Sequence, residues 1–274
     1  MRMDRYAVVG NPVAQSKSPP IHEAFARATG QAMTYERILG PLGAFADTAR
    51  RFADEGGRGL NVTAPFKRDA LAIAARASER AQAAGACNTL ARDGDAWYAD
   101  NTDGAGLVRD LTVNLDVVLA GADILLLGAG GAARGVLLPL LAQQPRAVVI
   151  SNRTASKADA LVERFGDRGP LSALPPGALG ARRFDVVINA TSAGLDPNAV
   201  WPWTEGLFAD GAFAYDMIYG DAPTRFLRWA GAQGVERSAD GLGMLVEQAA
   251  ESFFLWRGVR PPTADVFELL RPTR

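Results

Sequence analysis

The stretch from Asp123 to Arg134, Asp-Ile-Leu-Leu-Leu-Gly-Ala-Gly-Gly-Ala-Ala-Arg, leaves a chain few ways to fold. Four apolar residues, Ile124 to Leu127, read as a strand buried on both faces of a parallel sheet. A turn containing Gly128, Gly130 and Gly131 follows at once, and Ala132 to Gln143, rich in Ala and Leu, reads as a helix. Gly128-x-Gly130-x-x-Ala133 is the spacing of a dinucleotide-binding βα turn with Ala in its last place. Each small residue has a use there. The first permits the tight turn, the second lets a pyrophosphate approach the backbone, and the third lets helix and strand pack closely. The helix N-terminus then offers free N–H groups to the phosphates. A glycine pattern alone is weak, but a strand before it and a helix after it favour cofactor binding over a plain connection.

The rest of the chain supplies the setting. Its 274 residues suit one large or two modest domains. A net charge of -1 gives no basic excess for nucleic acid or an anionic membrane. With one cysteine, Cys87, there is no internal disulfide, which fits a reducing, cytoplasmic location. The opening Met1-Arg-Met-Asp-Arg-Tyr lacks the apolar core of a signal peptide, and no apolar run approaches ~18 residues. One histidine, His22, leaves little material for a metal cluster or a His-based triad, so no metal is expected. His22 reads as a helix-face residue and Cys87 as a packed small side chain.

Taken in order, strands are expected at Tyr6–Gly10, Met33–Ile38 and Gly59–Thr63, and helices at Pro20–Thr29, Leu42–Glu55 and Lys67–Ala77. Residues 86–99 hold two short strands around the turn Arg92-Asp-Gly-Asp95. This alternation argues for a mostly parallel sheet of its own. A helix from Asp103 leads into a second region. There, strands at Ala147–Asn152, Phe184–Asn189 and Ala212–Met217 alternate with helices at Ala155–Phe165 and Thr224–Gln233, and residues 166–180 form a Pro/Gly-rich loop. A last long helix spans Gly241 to about Arg257. The expected fold is therefore α/β: two α/β domains flanking a cleft, the second a Rossmann-type dinucleotide-binding domain. The boundaries are 1–104, joined by C-terminal helices in 241–274, and 105–240.

The end of the second strand of a dinucleotide-binding sheet discriminates between cofactors. NAD-binding sheets place Asp or Glu there for the ribose hydroxyls. Here the strand ends Ser151-Asn-Arg-Thr154, with Lys157 a turn later. Arg153 and Lys157 are cationic, and an Arg fork suits a phosphate dianion, which favours NADP over NAD. Thr191 follows another strand's C-terminal end and should line the same crevice.

Chemistry-bearing residues cluster elsewhere. Asn61-Val-Thr-Ala-Pro-Phe-Lys67, Ala86-Cys-Asn88-Thr and Asp100-Asn101-Thr-Asp103-Gly offer a cation, a carboxylate and neutral hydrogen-bonders, with no metal-ligand set. That inventory fits proton transfer at a carbonyl while a nicotinamide delivers hydride. Taken singly, Lys67 reads as a surface residue at a helix start and Asp103 as an N-cap. Only the motifs together favour catalysis.

Taken together, they resemble a known family. Ser16-Lys-Ser18-Pro, Asn61-Val-Thr-x-Pro-x-Lys67, Gly85-Ala-x-Asn88-Thr, Asn101-Thr-Asp103-Gly, Gly128-Ala-Gly-Gly-Ala, Asn152-Arg-Thr154, Asn189-Ala-Thr-x-x-Gly194, Asp216-Met-Ile-Tyr219 and Asp240-Gly-Leu-Gly-Met-Leu-Val-x-Gln248-Ala resemble the signatures of shikimate dehydrogenases across nearly the whole chain. The resemblance implies reversible reduction of 3-dehydroshikimate to shikimate with NADPH, in the route to aromatic amino acids. It implies that Lys67 is the acid/base, with Asp103 beside it, and that Ser16 and Ser18 hold the substrate carboxylate. Thr63, Asn88, Asn101, Tyr219 and Gln248 would read and fix the ring. Gly128, Ala129, Gly130, Gly131, Ala132, Asn152, Arg153, Thr154, Lys157 and Thr191 would line the cofactor site, with Met217 and Gly241 near the nicotinamide and Glu79 a further contact. It also implies that the C-terminal helix returns to the first domain, bringing Gln248 to the substrate.

Glu23 departs from the family, which more often has Asn there. The quinate-using branch tends to have Thr in the place of Ser18 and an acid near Arg153; this chain has neither. A broader quinate/shikimate enzyme using NAD is the alternative. A cofactor-binding scaffold without turnover is disfavoured by the presence of both Lys67 and Asp103, and a methylenetetrahydrofolate enzyme by the paired serines. The expected partner is a small-molecule substrate, without nucleic acid or membrane, on a monomer or homodimer.

Overall fold

The computed structural model describes residues 3–195 and 202–271. It divides into two compact units: residues through Gly106 with those from Leu245 onward, and Leu107–Met244. The ends of the expected first and last segments, 1–2 and 272–274, lie outside the described residues.

In the first unit, β1 (Asp4–Gly10), α1 (Ser18–Thr29), β2 (Met33–Leu39), α2 (Phe45–Asp54) and β3 (Gly57–Val62) follow the expected alternation. The helix expected over Lys67–Ala77 is instead α3 (Lys67–Ala72) followed by the short strand β4 (Arg76–Ala77), and a further helix, α4 (Glu79–Ala84), comes after it. Two interactions explain the break. Arg76 and Ala77 pair with Tyr98 and Ala99, and the Ser78 hydroxyl accepts from the Ala81 N–H, capping a new helix. The hairpin β5 (Thr89–Asp93) and β6 (Ala96–Asp100) turns at Gly94. The sheet runs β2-β1-β3-β5-β6-β4. Its β1, β2 and β3 are parallel, while β5 is antiparallel to both β3 and β6. One face is filled by Phe45, Phe52, Leu60, Phe66 and Trp97 among others.

The second unit receives the chain through α5 (Asp103–Arg109), which continues as one π-helical turn, Asp110–Asn114. Then come β7 (Asp123–Leu127), α6 (Gly131–Leu141), β8 (Ala147–Ser151), α7 (Ala155–Phe165), β9 (Leu171–Ala173), β10 (Phe184–Asn189), β11 (Phe208–Asp216), α8 (Arg225–Ala232) and β12 (Arg237–Asp240). The expected loop over 166–180 contains β9, which pairs with β8 through Val148–Ile150; three residues are too few to show a period. Strand order is β12-β11-β10-β7-β8-β9, every neighbour parallel. This is the doubly wound order 3-2-1-4-5-6, with its switch point between β7 and β10. Leu125, Leu127, Val149, Phe184, Val187 and Phe226 fill its core.

The chain re-enters the first unit along α9 (Leu242–Arg257) and ends in α10 (Ala264–Leu270). Val246, Ala249, Ala250 and Phe253 of α9 pack with Ile21 and Phe25 of α1 and Val266 of α10. The Trp256 indole donates to the Leu90 carbonyl at 3.0 Å. Gln248 thereby belongs to the first unit. Among the described residues no helix is long and apolar enough to cross a membrane.

Candidate active site and dinucleotide crevice

In the first unit the polar residues converge at strand ends. Lys67 opens α3 and Asp103 opens α5, and the Lys67 Nζ lies 2.5 Å from Asp103 Oδ2. Asp103 Oδ1 accepts from Asn88 Nδ2 at 2.8 Å. That same amide donates to Thr102 Oγ1 and to Gln248 Oε1, while Asn88 Oδ1 accepts from the Thr102 N–H. Asp103 thus accepts from two side chains on different elements, which fixes the ammonium's orientation. Asn101 is buried; its amide donates to the Ala86 carbonyl, and its Oδ1 accepts from the Asp103 N–H. Both halves of that side chain shape the turn carrying Asp103. Thr63 is half-buried at the end of β3, its N–H on the Val9 carbonyl. Ser16 and Ser18 form their own pair, with Ser16 Oγ donating to Ser18 Oγ at 3.2 Å. Lys67, Asp103, Asn88 and Gln248 therefore form one linked cluster.

Behind the cluster lies a buried hub that sequence reasoning passed over. Asn61 Nδ2 donates to Thr89 Oγ1 and Ser252 Oγ, and its Oδ1 accepts from Tyr35 Oη at 2.7 Å and lies 3.1 Å from His22 Nε2. Motif Asn61-Val-Thr was visible in the sequence, but its partners stand far apart along the chain. Cys87 is buried and its thiol is pushed up to about 12, chiefly by desolvation, so it stays protonated and is no nucleophile.

In the second unit the glycine turn occupies the switch point. Gly128 has φ +106, and a Cβ there would stand 2.9 Å from Thr191 Cγ2 and 3.2 Å from the Ala190 carbonyl oxygen. Only glycine fits. Gly130 and Gly131 face open space, and the N-terminus of α6 has no side-chain cap, so its first N–H groups remain available to an anion. Ala129 is half-buried and Ala132 exposed along the same turn. Across the switch point, the Thr191 N–H and hydroxyl both donate to Asn189 Oδ1. Asn189 in turn donates to the buried Asp216, whose carboxyl is raised above the usual range by desolvation. The Ile218 N–H donates to the same carboxylate. Asn189 and Asp216 therefore hold both loops that flank the crevice, a role their motifs did not disclose.

At the end of β8, Asn152 Nδ2 donates to the Thr154 carbonyl. Arg153, Thr154 and Lys157 are exposed, and among the described residues no carboxylate pairs with either cation. Met217 and Gly241 meet directly: a Cβ on Gly241 would fall 2.3 Å from the Met217 carbonyl oxygen. Tyr219 also belongs to this unit, its hydroxyl raised by burial and by Asp240. Glu79 is exposed in the first turn of α4, in the first unit. The uncapped helix start, the glycine cradle and the two unpaired cations fit a dinucleotide carrying an additional phosphate. Among the described residues no group of His, Cys, Asp and Glu is placed to hold a metal ion.

These features define a class: an α/β protein of two units, one of them a doubly wound dinucleotide-binding fold. Comparison narrows it. Residues 8–90 match the shikimate dehydrogenase substrate binding domain, 112–196 the shikimate/quinate 5-dehydrogenase model, and 241–271 the shikimate 5'-dehydrogenase C-terminal domain. A shikimate dehydrogenase (NADP(+)) of Thioalkalivibrio sulfidiphilus is 54% identical over 273 residues, covering 99% of this chain and 100% of that protein. One from Alkalilimnicola ehrlichii is 55% identical over 269 residues, covering 98% and 99%. Among solved structures, shikimate 5-dehydrogenase from Thermus thermophilus in complex with NADP(H) and shikimate has a TM-score of 0.87 and 36% identity, covering 97% of this chain and 98% of that one. The chain belongs to the shikimate dehydrogenase family.

Proposed function

We propose that this protein is an NADP-dependent oxidoreductase that interconverts 3-dehydroshikimate and shikimate in aromatic amino acid biosynthesis, as a cytoplasmic enzyme. The observation carrying the reading is the Lys67–Asp103 pair locked by Asn88. Residues 1–104 with 241–274 form the substrate-binding domain, and 105–240 the NADP-binding domain. Bound NADP(H) supplies or takes the hydride. Lys67 gives a proton from Nζ to the substrate oxygen as the carbonyl is reduced, and takes it back in the reverse direction. Asp103 holds that ammonium and keeps it aimed. Ser16 and Ser18 bind the carboxylate through their hydroxyls, while Thr63, Asn88, Asn101, Gln248 and Tyr219 fix the ring. Gly128 to Ala132 cradle the pyrophosphate, with Thr191 opposite, and Met217, Gly241 and Glu79 complete the cofactor contacts.

The decisive experiment follows the nicotinamide absorbance with shikimate and NADP; no absorbance change with active-site concentrations of enzyme would refute the assignment. Arg153, Asn152, Thr154 and Lys157 carry the preference for a 2′-phosphate. Arg153→Ala is expected to raise KM for NADP about tenfold or more while KM for NAD moves little, since a charge-assisted pair contributes roughly 1.5–3 kcal/mol. Steady-state kinetics with both cofactors check this, and an unchanged ratio of the two contradicts the assignment.

A further inference from the structure

The two serines assigned to the substrate carboxylate are neutral, and the backbone around them has little left to give. Pro19 and Pro20 carry no N–H. The Ser18 N–H is turned to Ser16 Oγ, and the Ile21 N–H to the Lys17 carbonyl. A carboxylate bound here needs positive charge from elsewhere. A cation is held against this loop by its own hydrogen bonds. Arg37, on the edge strand β2, donates from Nη2 to the Ser16 carbonyl at 2.7 Å and from Nε to the same oxygen at 3.2 Å. Its neighbour Glu36 is occupied by Arg5 at 2.8 Å. Among the described residues no carboxylate pairs with Arg37, so its charge is not spent within the protein.

We propose that Arg37 is a positioning residue for the substrate carboxylate: its guanidinium fixes the backbone of Ser16 and supplies the positive field that the serine pair lacks. The inference rests on the reading of Ser16 and Ser18 as the carboxylate site. A planar fork that grips one carbonyl with two N–H groups holds its charge in a defined place, which a lysine cannot do as well. Because Arg37 is exposed, its field is open to screening by salt. Arg37 makes no contact with the Lys67–Asp103 cluster in its hydrogen bonds, so its effect falls on binding and not on proton transfer.

The test compares shikimate with its uncharged carboxamide as substrates. For Arg37→Gln, KM for shikimate is expected to rise about tenfold while kcat stays within about twofold and the carboxamide kinetics hardly change. Arg37→Lys should recover part of the loss. The fall of kcat/KM for shikimate as salt rises from about 0.01 to 0.5 M should flatten in Arg37→Gln. Lys17→Gln, on the same loop, should have the smaller effect. An equal loss on acid and carboxamide would make Arg37 merely structural and overturn the proposal, as would an unchanged KM. Ser16→Ala and Ser18→Ala separate the two levels of inference. If they leave the preference for acid over carboxamide intact, the carboxylate site itself is misassigned and Arg37 falls with it; if they abolish it while Arg37→Gln does not alter it, only the role of Arg37 is lost.

Discussion

Replacing Lys67 by alanine is expected to lower kcat by about 10²–10⁴-fold, the usual contribution of one positioned acid/base group. That corresponds to roughly 3–5 kcal/mol of transition-state stabilisation. The KM for shikimate should change little, because in the proposed mechanism Lys67 acts on the reacting oxygen while other side chains hold the ring. Folding should survive: the Lys67 carbonyl, which accepts from the Cys87 N–H at 2.8 Å, is backbone and remains. Asp103→Asn should be less severe for binding than for turnover, since Asn keeps the shape but loses the charge that holds the ammonium at 2.5 Å. Steady-state kinetics on purified variants, with circular dichroism as a check on folding, read these effects. A near wild-type kcat in Lys67→Ala would remove that side chain from the chemistry.

How much of this could be read beforehand depended on whether the signal was local. Strand β10 and helix α7 stand at the expected Phe184–Asn189 and Ala155–Phe165, because Val186–Ile188 is a compact apolar run and α7 an amphipathic one that stops at Gly166. The NADP-type crevice is legible for the same reason: the glycine spacing lies within β7 and α6 and the cations within β8 and α7, each a single strand-turn-helix. Strand β4 is not, since Arg76 and Ala77 are extended only through Tyr98 and Ala99. The helix that Ser78 caps, Glu79–Ala84, has no counterpart among the expected elements. Likewise β12 exists through its register with Phe213–Asp216. In the site, Lys67 and Asp103 are joined beforehand only by the family resemblance, as they lie 36 positions apart and no local period links them. Gln248 came from family resemblance alone; its link to Asn88 depends on α9 packing against α1, which no local period encodes.

Acid is expected to destabilise this protein through one residue that takes no part in the reaction. His22 is fully buried, stacked on the Tyr35 ring at 4.3 Å, and its pKa is lowered to about 3 by desolvation, against a weaker opposing hydrogen bond to Asn61. The tautomer follows from the partner: Asn61 Oδ1 can only accept, so His22 Nε2 carries the proton. Nδ1 is buried without a partner, so a second proton would be left with no acceptor. Because the folded pKa lies below the unfolded value of 6.5, the unfolded chain binds more protons between these limits, and stability rises with pH there. The contribution is fully present above pH 6.5 and is lost as pH falls towards about 3. At about 1.4 kcal/mol per pH unit, His22 costs roughly 2 kcal/mol between pH 7 and pH 5. Urea denaturation at the two pH values should show wild type losing about that much more than His22→Gln. Asp216, whose raised pKa acts in the opposite sense, titrates in both proteins and cancels in the difference. Equal losses in the two proteins would mean that His22 accepts its proton without unfolding, and that the stacked pocket around it is open to water.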